Sequence, residues 1–235
     1  MQVFFSNERQ DNFLILDEIE SKHCIRVLRK KEGDEIHVLD GIGGFFKAIV
    51  FDANKNRTVV EIVEEIQQKT FPGMQTTIAI APTKNMSRVE WFLEKATEIG
   101  IGGFVFFYSK NSERMKLRYD RLDKVVQSAC KQSLKAFFPK IYEAKSFKEL
   151  LEEYQDFKGQ KFIAHCNDGA KKQLKSAYKK GGEVLVLIGP EGDFTTEEVA
   201  AAESKGFVSL SLGEARLRTE TAALVACHSI QFLEM

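Results

Sequence analysis

Two segments near the C-terminal end carry residue types that can build a ligand site. The first, Ile188-Gly189-Pro190-Glu191-Gly192-Asp193-Phe194, directly follows the most apolar strand-like run in the chain, at residues 183–188. A Gly-Pro-x-Gly turn there can bring bare backbone against a ligand, because glycine adds no Cβ. The second runs from Leu212-Gly213-Glu214-Ala215 through Arg216-Leu217-Arg218-Thr219-Glu220-Thr221-Ala222. Two arginines within three residues, followed by Thr-Glu-Thr at a helix start, set cations beside backbone amide donors. Each segment follows a strand, and in parallel α/β sheets ligands sit beyond the carboxyl ends of strands. Either loop alone reads equally well as an ordinary turn. At successive strand ends, the pair favours a ligand site.

Other chemistries lack their residues. Gly41-Ile42-Gly43-Gly44 has no third glycine at dinucleotide spacing and precedes a strand, so it reads as a hairpin turn. No Gly-x-x-x-x-Gly-Lys-Ser/Thr and no Gly-x-Ser-x-Gly occurs. His23, His37, His165 and His228 are dispersed, and Cys24, Cys130, Cys166 and Cys227 form no Cys-x-x-Cys pair. That pattern predicts no metal site and no disulfide framework, only reduced thiols.

The elements that must position the two segments change character near residue 70. Before it, residues 35–39, 45–51 and 58–63 alternate as short strands, with Asp40-Gly41 as a hairpin turn and a helix-like stretch at residues 17–30. A small β-rich barrel over residues 1–70 is expected, then a polar link at residues 67–73. From residue 74 to 235 strands alternate with helices, which predicts a parallel sheet covered on both faces. The strands fall at residues 76–81, 104–108, 140–143, 161–166, 183–188 and 208–212. The helices fall at residues 87–99, 119–136, from 146, 195–206 and 219–232. Ser146-x-x-Glu149 and Thr195-x-x-Glu198 are capping boxes, in which each side chain satisfies the other residue's free backbone amide.

Composition narrows the class. The 235 residues are 43% hydrophobic and 29% charged, which excludes disorder and leaves material for a sizeable core. No apolar run approaches the roughly 18 residues of a membrane span. The first residues lack a basic region and a cleavage site, so a soluble cytoplasmic protein is expected. Basic and acidic residues balance at 34 each, so a nucleic-acid partner has to be met by local patches. Residues 110–140 hold nine basic side chains against three acidic ones, and Lys22, Arg26, Arg29, Lys30 and Lys31 form a second cluster. Such patches neutralise phosphates and position RNA without reading its sequence. Arg26, Arg29, Lys30, Arg114, Lys131 and Lys135 are the candidate RNA contacts. A solvated helix face explains either cluster alone as well.

Taken together, Leu187-Ile188-Gly189-Pro190-Glu191-Gly192, Leu212-Gly213 and Arg218-Thr219-Glu220-Thr221-Ala222 resemble the RsmE family closely. These are small-subunit ribosomal RNA methyltransferases of the SPOUT superfamily that make N3-methyluridine. The resemblance covers nearly the whole chain. His23-x-x-Arg26-Val27-Leu28-Arg29, Gly33-Asp34 and Asp40-Gly41 are similar to the family's PUA-like RNA-binding barrel. Glu90, Lys95, Glu98 and Gly100 are similar to its first long helix, and Gln132-Ser133 matches the start of a Gln-Ser-x-Arg motif. Two positions depart: Asp193 stands where many relatives have a second glycine, and Lys135 keeps the arginine's charge without its bidentate fork.

The resemblance implies an α/β fold with a small PUA-like barrel and a SPOUT domain whose parallel sheet carries a deep trefoil knot. Connection rules alone disfavour a knot. It implies S-adenosyl-L-methionine as cofactor, a homodimer, and small-subunit ribosomal RNA or the assembled small subunit as partner. Gly189, Pro190, Gly192, Leu212, Gly213, Leu217 and Thr219 would surround the cofactor. Ile188 and Ala222 would add apolar wall, and His165 a third side. Methylation at uracil N3 requires loss of a proton, so a base or a cation must stabilise the developing imide anion. Arg218 is the candidate cation, and Glu191 and Glu220 are the candidate bases. The rival readings are a ribose 2′-hydroxyl methyltransferase on the same scaffold and a non-catalytic RNA-binding or assembly factor.

Overall fold

In the N-terminal part apolar and polar side chains alternate with a period of two, the spacing that turns one face of a strand inward. The computed structural model, which describes residues 1–67, 72–113 and 116–235, forms a six-stranded sheet there. Its strands are β1 (Val3–Phe5), β2 (Glu8–Gln10), β3 (Phe13–Ile15), β4 (Glu35–Leu39), β5 (Phe45–Asp52) and β6 (Val59–Glu65). They lie in the order β1-β4-β5-β6-β3-β2, antiparallel except where β1 runs beside β4. The helix α1 (Glu18–Lys22), capped by Asp17, runs into a π-helical turn at His23–Val27. The sheet curls round Phe4, Leu14, Ile36, Val38, Phe46 and Val60, which are withdrawn from solvent. The three strands before residue 16 carry no pattern in the sequence, because three-residue runs are too brief to display a period.

Contacts divide the chain into two units, residues 1–70 with 127–138 and residues 71–126 with 139–235. The expected polar link at residues 67–73 lies mostly outside the described residues, as does Arg114. In the first unit Asp40 accepts the amides of Ile42 and Gly44 at 2.9 and 2.7 Å, which closes the turn between β4 and β5.

The second unit is a seven-stranded parallel sheet with helices between its strands. Its strands are β7 (Thr76–Ile80), β8 (Gly103–Tyr108), β9 (Lys140–Ser146), β10 (Gln160–Ala164), β11 (Lys172–Gln173), β12 (Val184–Ile188) and β13 (Val208–Ser211). The order is β11-β13-β10-β12-β7-β8-β9, and all five residues of central β12 are buried. The helices are α2 (Met86–Ile99), α3 (Tyr119–Ser133), whose residues from 127 on belong to the first unit, α4 (Phe147–Glu153), α5 (Leu174–Ala177), α6 (Thr196–Ser204) and α7 (Thr219–Glu234). Both capping boxes form, Ser146 with Glu149 and Thr195 with Glu198. α7 packs on α2, β7 and β12.

The helix expected over residues 119–136 stops three residues early. Leu134 takes φ 57, and the Lys135 amide donates back to the Cys130 carbonyl at 3.0 Å. That six-to-one bond is a Schellman ending built on leucine, so no glycine in the sequence announces it.

Candidate active site

Sheet pairing brings three loops to one place. β13, β10 and β12 are adjacent and parallel, with Ala164 registered against Ile188 on one side and Leu210 on the other. The chain leaving these ends at residues 165–166, 189–193 and 212–218 lines a cavity of about 810 Å³. That size falls within the roughly 300–1,000 Å³ of small-molecule sites. Ile188, Gly189, Pro190 and Gly192 line it from the β12 loop, and Leu212, Gly213, Leu217, Thr219 and Ala222 from the β13 loop and α7. His165 closes the side formed by β10.

The β12 loop is a tied turn. The Asp193 amide donates to the Pro190 carbonyl at 3.0 Å, and Asn111 Nδ2 reaches the carbonyls of Gly192 and Asp193 at 3.1 and 3.0 Å. A Cβ on Gly189 would press the Phe194 ring at 3.1 Å, and one on Gly192 would meet Asn111 at 3.0 Å. Phe194 itself is buried between Phe107 and Phe147, with ring centroids 5.9 and 5.4 Å away. Asp193 holds the left-handed φ of 61 that a second glycine would take without strain. Its carboxylate offsets that cost, accepting the Cys166 amide at 2.6 Å and the Phe194 amide at 2.8 Å. The residue that departs from the family pattern therefore ties the β12 loop to the β10 loop.

The β13 loop is more exposed. Gly213 takes φ 126 and Ser211 Oγ bonds its carbonyl at 3.2 Å. Arg216 and Arg218 are exposed, and neither makes an ion pair among the described residues. Arg218 is the N-cap of α7 and gives the helix no side-chain cap, so the first-turn amides keep their donor capacity.

His165 is oriented by a polar chain. Ser209 Oγ donates to Glu203 Oε1 at 2.6 Å, so at 2.9 Å from His165 Nε2 it acts as acceptor. The network assigns the proton to Nε2 and leaves Nδ1 as a buried lone pair with no partner among the described residues. Burial and then Lys171 push the imidazole below its ordinary value of 6.5, against the opposing pull of Asp193 and Glu203. The ring is therefore neutral at pH 7, with Nδ1 a buried acceptor on a fixed tautomer.

The two candidate bases differ in occupation. Glu191 is exposed and its Oε1 accepts the Lys84 amide at 3.0 Å, which ties the β7–α2 connection to the β12 loop. Glu220 is 7% exposed, its Oε2 has no hydrogen-bond partner among the described residues, and Arg88 Nε stands 3.7 Å from its Oε1. Glu220 lines not the large cavity but a neighbouring groove of about 620 Å³.

In the first unit Arg26 and Arg29 are exposed, and Lys30 is half-buried with its Nζ on the Glu35 carbonyl at 3.0 Å. Lys131 pairs with Glu20, a buried carboxylate that also accepts the Phe5 amide at 3.3 Å. Its charge is committed inside the unit, although it lies in the basic run. Lys135 is half-buried at the Schellman ending of α3. Arg88, Cys166, Lys171 and Arg216 also line the large cavity and were not expected to. Arg216 was legible as the first arginine of its loop. Arg88, on a helix over a hundred residues away, had no local signal. Among the described residues no group of side chains could hold a metal ion, and no helix is long and apolar enough to cross a membrane.

Comparison with known proteins gives these features a family. An RNA methyltransferase domain matches residues 70–231, and an RNA methyltransferase PUA domain matches residues 16–63. The chain is 33% identical to the ribosomal RNA small subunit methyltransferase E of Mesomycoplasma hyopneumoniae (strain 232), covering 95% of this chain and 96% of that protein. A crystal structure of a probable rRNA-methyltransferase from Porphyromonas gingivalis superposes with a TM-score of 0.91 at 38% identity, covering 100% of this chain and 98% of that one. A ribosomal RNA small subunit methyltransferase E from Neisseria gonorrhoeae bound to S-adenosyl methionine superposes at 0.86 with 27% identity, covering 99% and 98%. Matched in both parts and along nearly its whole length, the chain belongs to the ribosomal RNA small subunit methyltransferase E family.

Proposed function

We propose that this chain transfers a methyl group from S-adenosyl-L-methionine to N3 of a uridine in small-subunit (16S) ribosomal RNA. The observation that carries the reading is the joining of two spaces by one loop. Arg88, Arg216, Leu217 and Arg218 line both the large cavity and the neighbouring groove that holds Glu220.

The cavity suits the cofactor. Its apolar wall of Ile188, Leu212, Leu217 and Ala222 offers dispersion contact. Gly189, Pro190, Gly192 and Gly213 present backbone at close range, and Thr219 opens the uncapped turn of α7. The unpartnered Nδ1 of His165 accepts a ligand hydroxyl or amino hydrogen. When bound, S-adenosylmethionine supplies a methyl group on a sulfonium, and the C–S electron pair stays on sulfur as that bond breaks.

Uracil N3 carries a proton that must leave as the N–C bond forms. In this reading Glu220 receives it, since an oxygen of that carboxylate has no other donor. Arg218 faces the uracil oxygens, where negative charge gathers as N3 is deprotonated. Glu191 positions the β7–α2 connection through Lys84. Arg26, Arg29, Lys30 and Lys135 supply phosphate contacts, and Lys131 joins them only where a phosphate displaces it from Glu20.

The reading extends to a homodimer working on ribosomal RNA or the assembled small subunit in the cytoplasm. Phe232, 64% exposed near the end of α7, is apolar surface that pairing of two copies would cover. The strand order β10-β12-β7 with α7 packed on β7 and β12 supports the knotted path that the family resemblance implies.

The test is nucleoside analysis of small-subunit ribosomal RNA from cells with and without the gene. Loss of N3-methyluridine alone is the expected result. Loss of a ribose-methylated nucleoside, or no change at all, refutes it.

A further inference from the structure

We propose that the groove beside the first turn of α7 receives the target base itself, with Trp91 stacking on the ring and Arg88, Glu220 and Arg218 reading its edge. The inference rests on the uridine methyltransferase reading and adds to it where the base sits and what selects it.

The groove, about 620 Å³, is lined by Ser87, Arg88 and Trp91 of α2, the arginine loop, and Glu220 and Thr221 of α7. It shares Arg88 and the loop at residues 216–218 with the large cavity, so the two spaces adjoin. Arg88 and Trp91 are three residues apart on α2 and therefore share a helix face. Trp91 is 42% exposed, which leaves an indole face open for stacking.

Glu220 gives the groove a polarity that packing does not explain. Its carboxylate is nine-tenths withdrawn from water, yet Oε2 has no partner among the described residues and the Arg88 pair is stretched to 3.7 Å. A buried charge left partly unsatisfied is costly unless a donor arrives. Arg218 likewise makes no ion pair among the described residues. The three side chains present donor, acceptor, donor. The pairing edge of uracil presents the complement, with O2 and O4 accepting on either side of the N3–H donor. Cytosine reverses two of the three, setting a lone pair at N3 against the carboxylate and an amino group against an arginine.

The attacked atom lies at the middle of that edge, so the base must be unpaired and taken out of its stack before it reacts. The exposed indole replaces the stacking lost, a contact worth roughly 5- to 150-fold in affinity per base.

Trp91 is the only tryptophan in the chain, so its emission reports on the groove alone. Full-length protein saturated with S-adenosylhomocysteine is titrated with oligouridylate and with oligocytidylate of equal length, while methyl transfer to unmodified small subunits is followed separately. Saturable quenching by oligouridylate, at least tenfold tighter than by oligocytidylate, is expected. Trp91→Ala should weaken oligouridylate binding, read by calorimetry, with the melting temperature unchanged. If that variant melts low, Trp91→Phe keeps a ring and should bind near the wild-type level. Glu220→Gln should narrow the preference, because its amide can donate to N3 of cytosine. The proposal falls if the wild type methylates subunits while both oligonucleotides leave the emission unchanged or quench it equally. It falls too if the emission follows protein concentration alone, the sign of a contact between copies. If the wild type transfers no methyl group at all, the function reading fails instead.

Discussion

Replacing Asp193 tests whether the large cavity, proposed to hold the cofactor, is kept open by a tie between two strand ends. The carboxylate accepts the Cys166 amide at 2.6 Å and the Phe194 amide at 2.8 Å, from a backbone at φ 61. Hydrogen bonds to a charged group contribute about 1.5–3 kcal/mol, and the half-buried position argues for the lower end. The left-handed conformation costs an L residue about 1–2 kcal/mol, which Asp tolerates better than Ala and Gly does not incur. Asp193→Ala loses the tie and keeps the strain, so it should destabilise the second unit by about 2 kcal/mol. Asp193→Gly loses the tie but relieves the strain, leaving about 1 kcal/mol. Untying the loops also lowers the fraction of molecules ready to bind, and a loss of 1.4 kcal/mol in pre-organisation weakens apparent affinity about tenfold. Calorimetry with S-adenosylmethionine and hydrogen exchange at the Cys166 amide read the two effects. The expected order of affinity is wild type, then Gly, then Ala, with faster Cys166 exchange in both variants. Unchanged affinity together with unchanged exchange in Asp193→Ala would refute the tie.

Arg218→Ala should lower single-turnover methylation about 100- to 1000-fold while cofactor binding is largely spared, since the proposed mechanism then loses one preorganised donor to a developing anion; turnover near the wild-type level would take Arg218 out of the mechanism. Burial holds the folded His165 below its ordinary value of 6.5, so the unfolded chain takes up a proton at a higher pH than the folded one. Stability is therefore full above that ordinary value and is lost as the pH falls from there through the folded value. Melting curves of the wild type and His165→Asn across this range should converge toward acid, and parallel curves would remove His165 as the cause.

Much of the local structure could be read from the sequence because its causes lie within a few residues. The capping boxes at Ser146 and Thr195 formed because serine or threonine and a glutamate three residues on satisfy one another wherever the helix lies. The apolar run at β12 had to be a central strand, since all its side chains demand burial on both faces. The two glycine- and arginine-containing loops announced themselves by residue type, and both line the cavity.

What the sequence alone could not decide was which ends meet. His165 joins Ile188 and Leu212 because β10 pairs between β13 and β12, and strand order follows from which faces bury together across the whole sheet. Arg88 meets Glu220 because α2 packs on α7, a contact spanning more than half the chain. Residues 127–138 cluster with the first unit, where Lys131 pairs with Glu20, so a basic run that read as one RNA-facing patch is divided by tertiary packing. The meaning of Asp193 was also hidden. Its place in a glycine-rich turn is visible in the sequence, but its partner, the Cys166 amide, is supplied by a different strand end. Local backbone preference depends on neighbours in the chain, whereas a site depends on neighbours in space, and those are chosen by burial and sheet pairing summed over the fold.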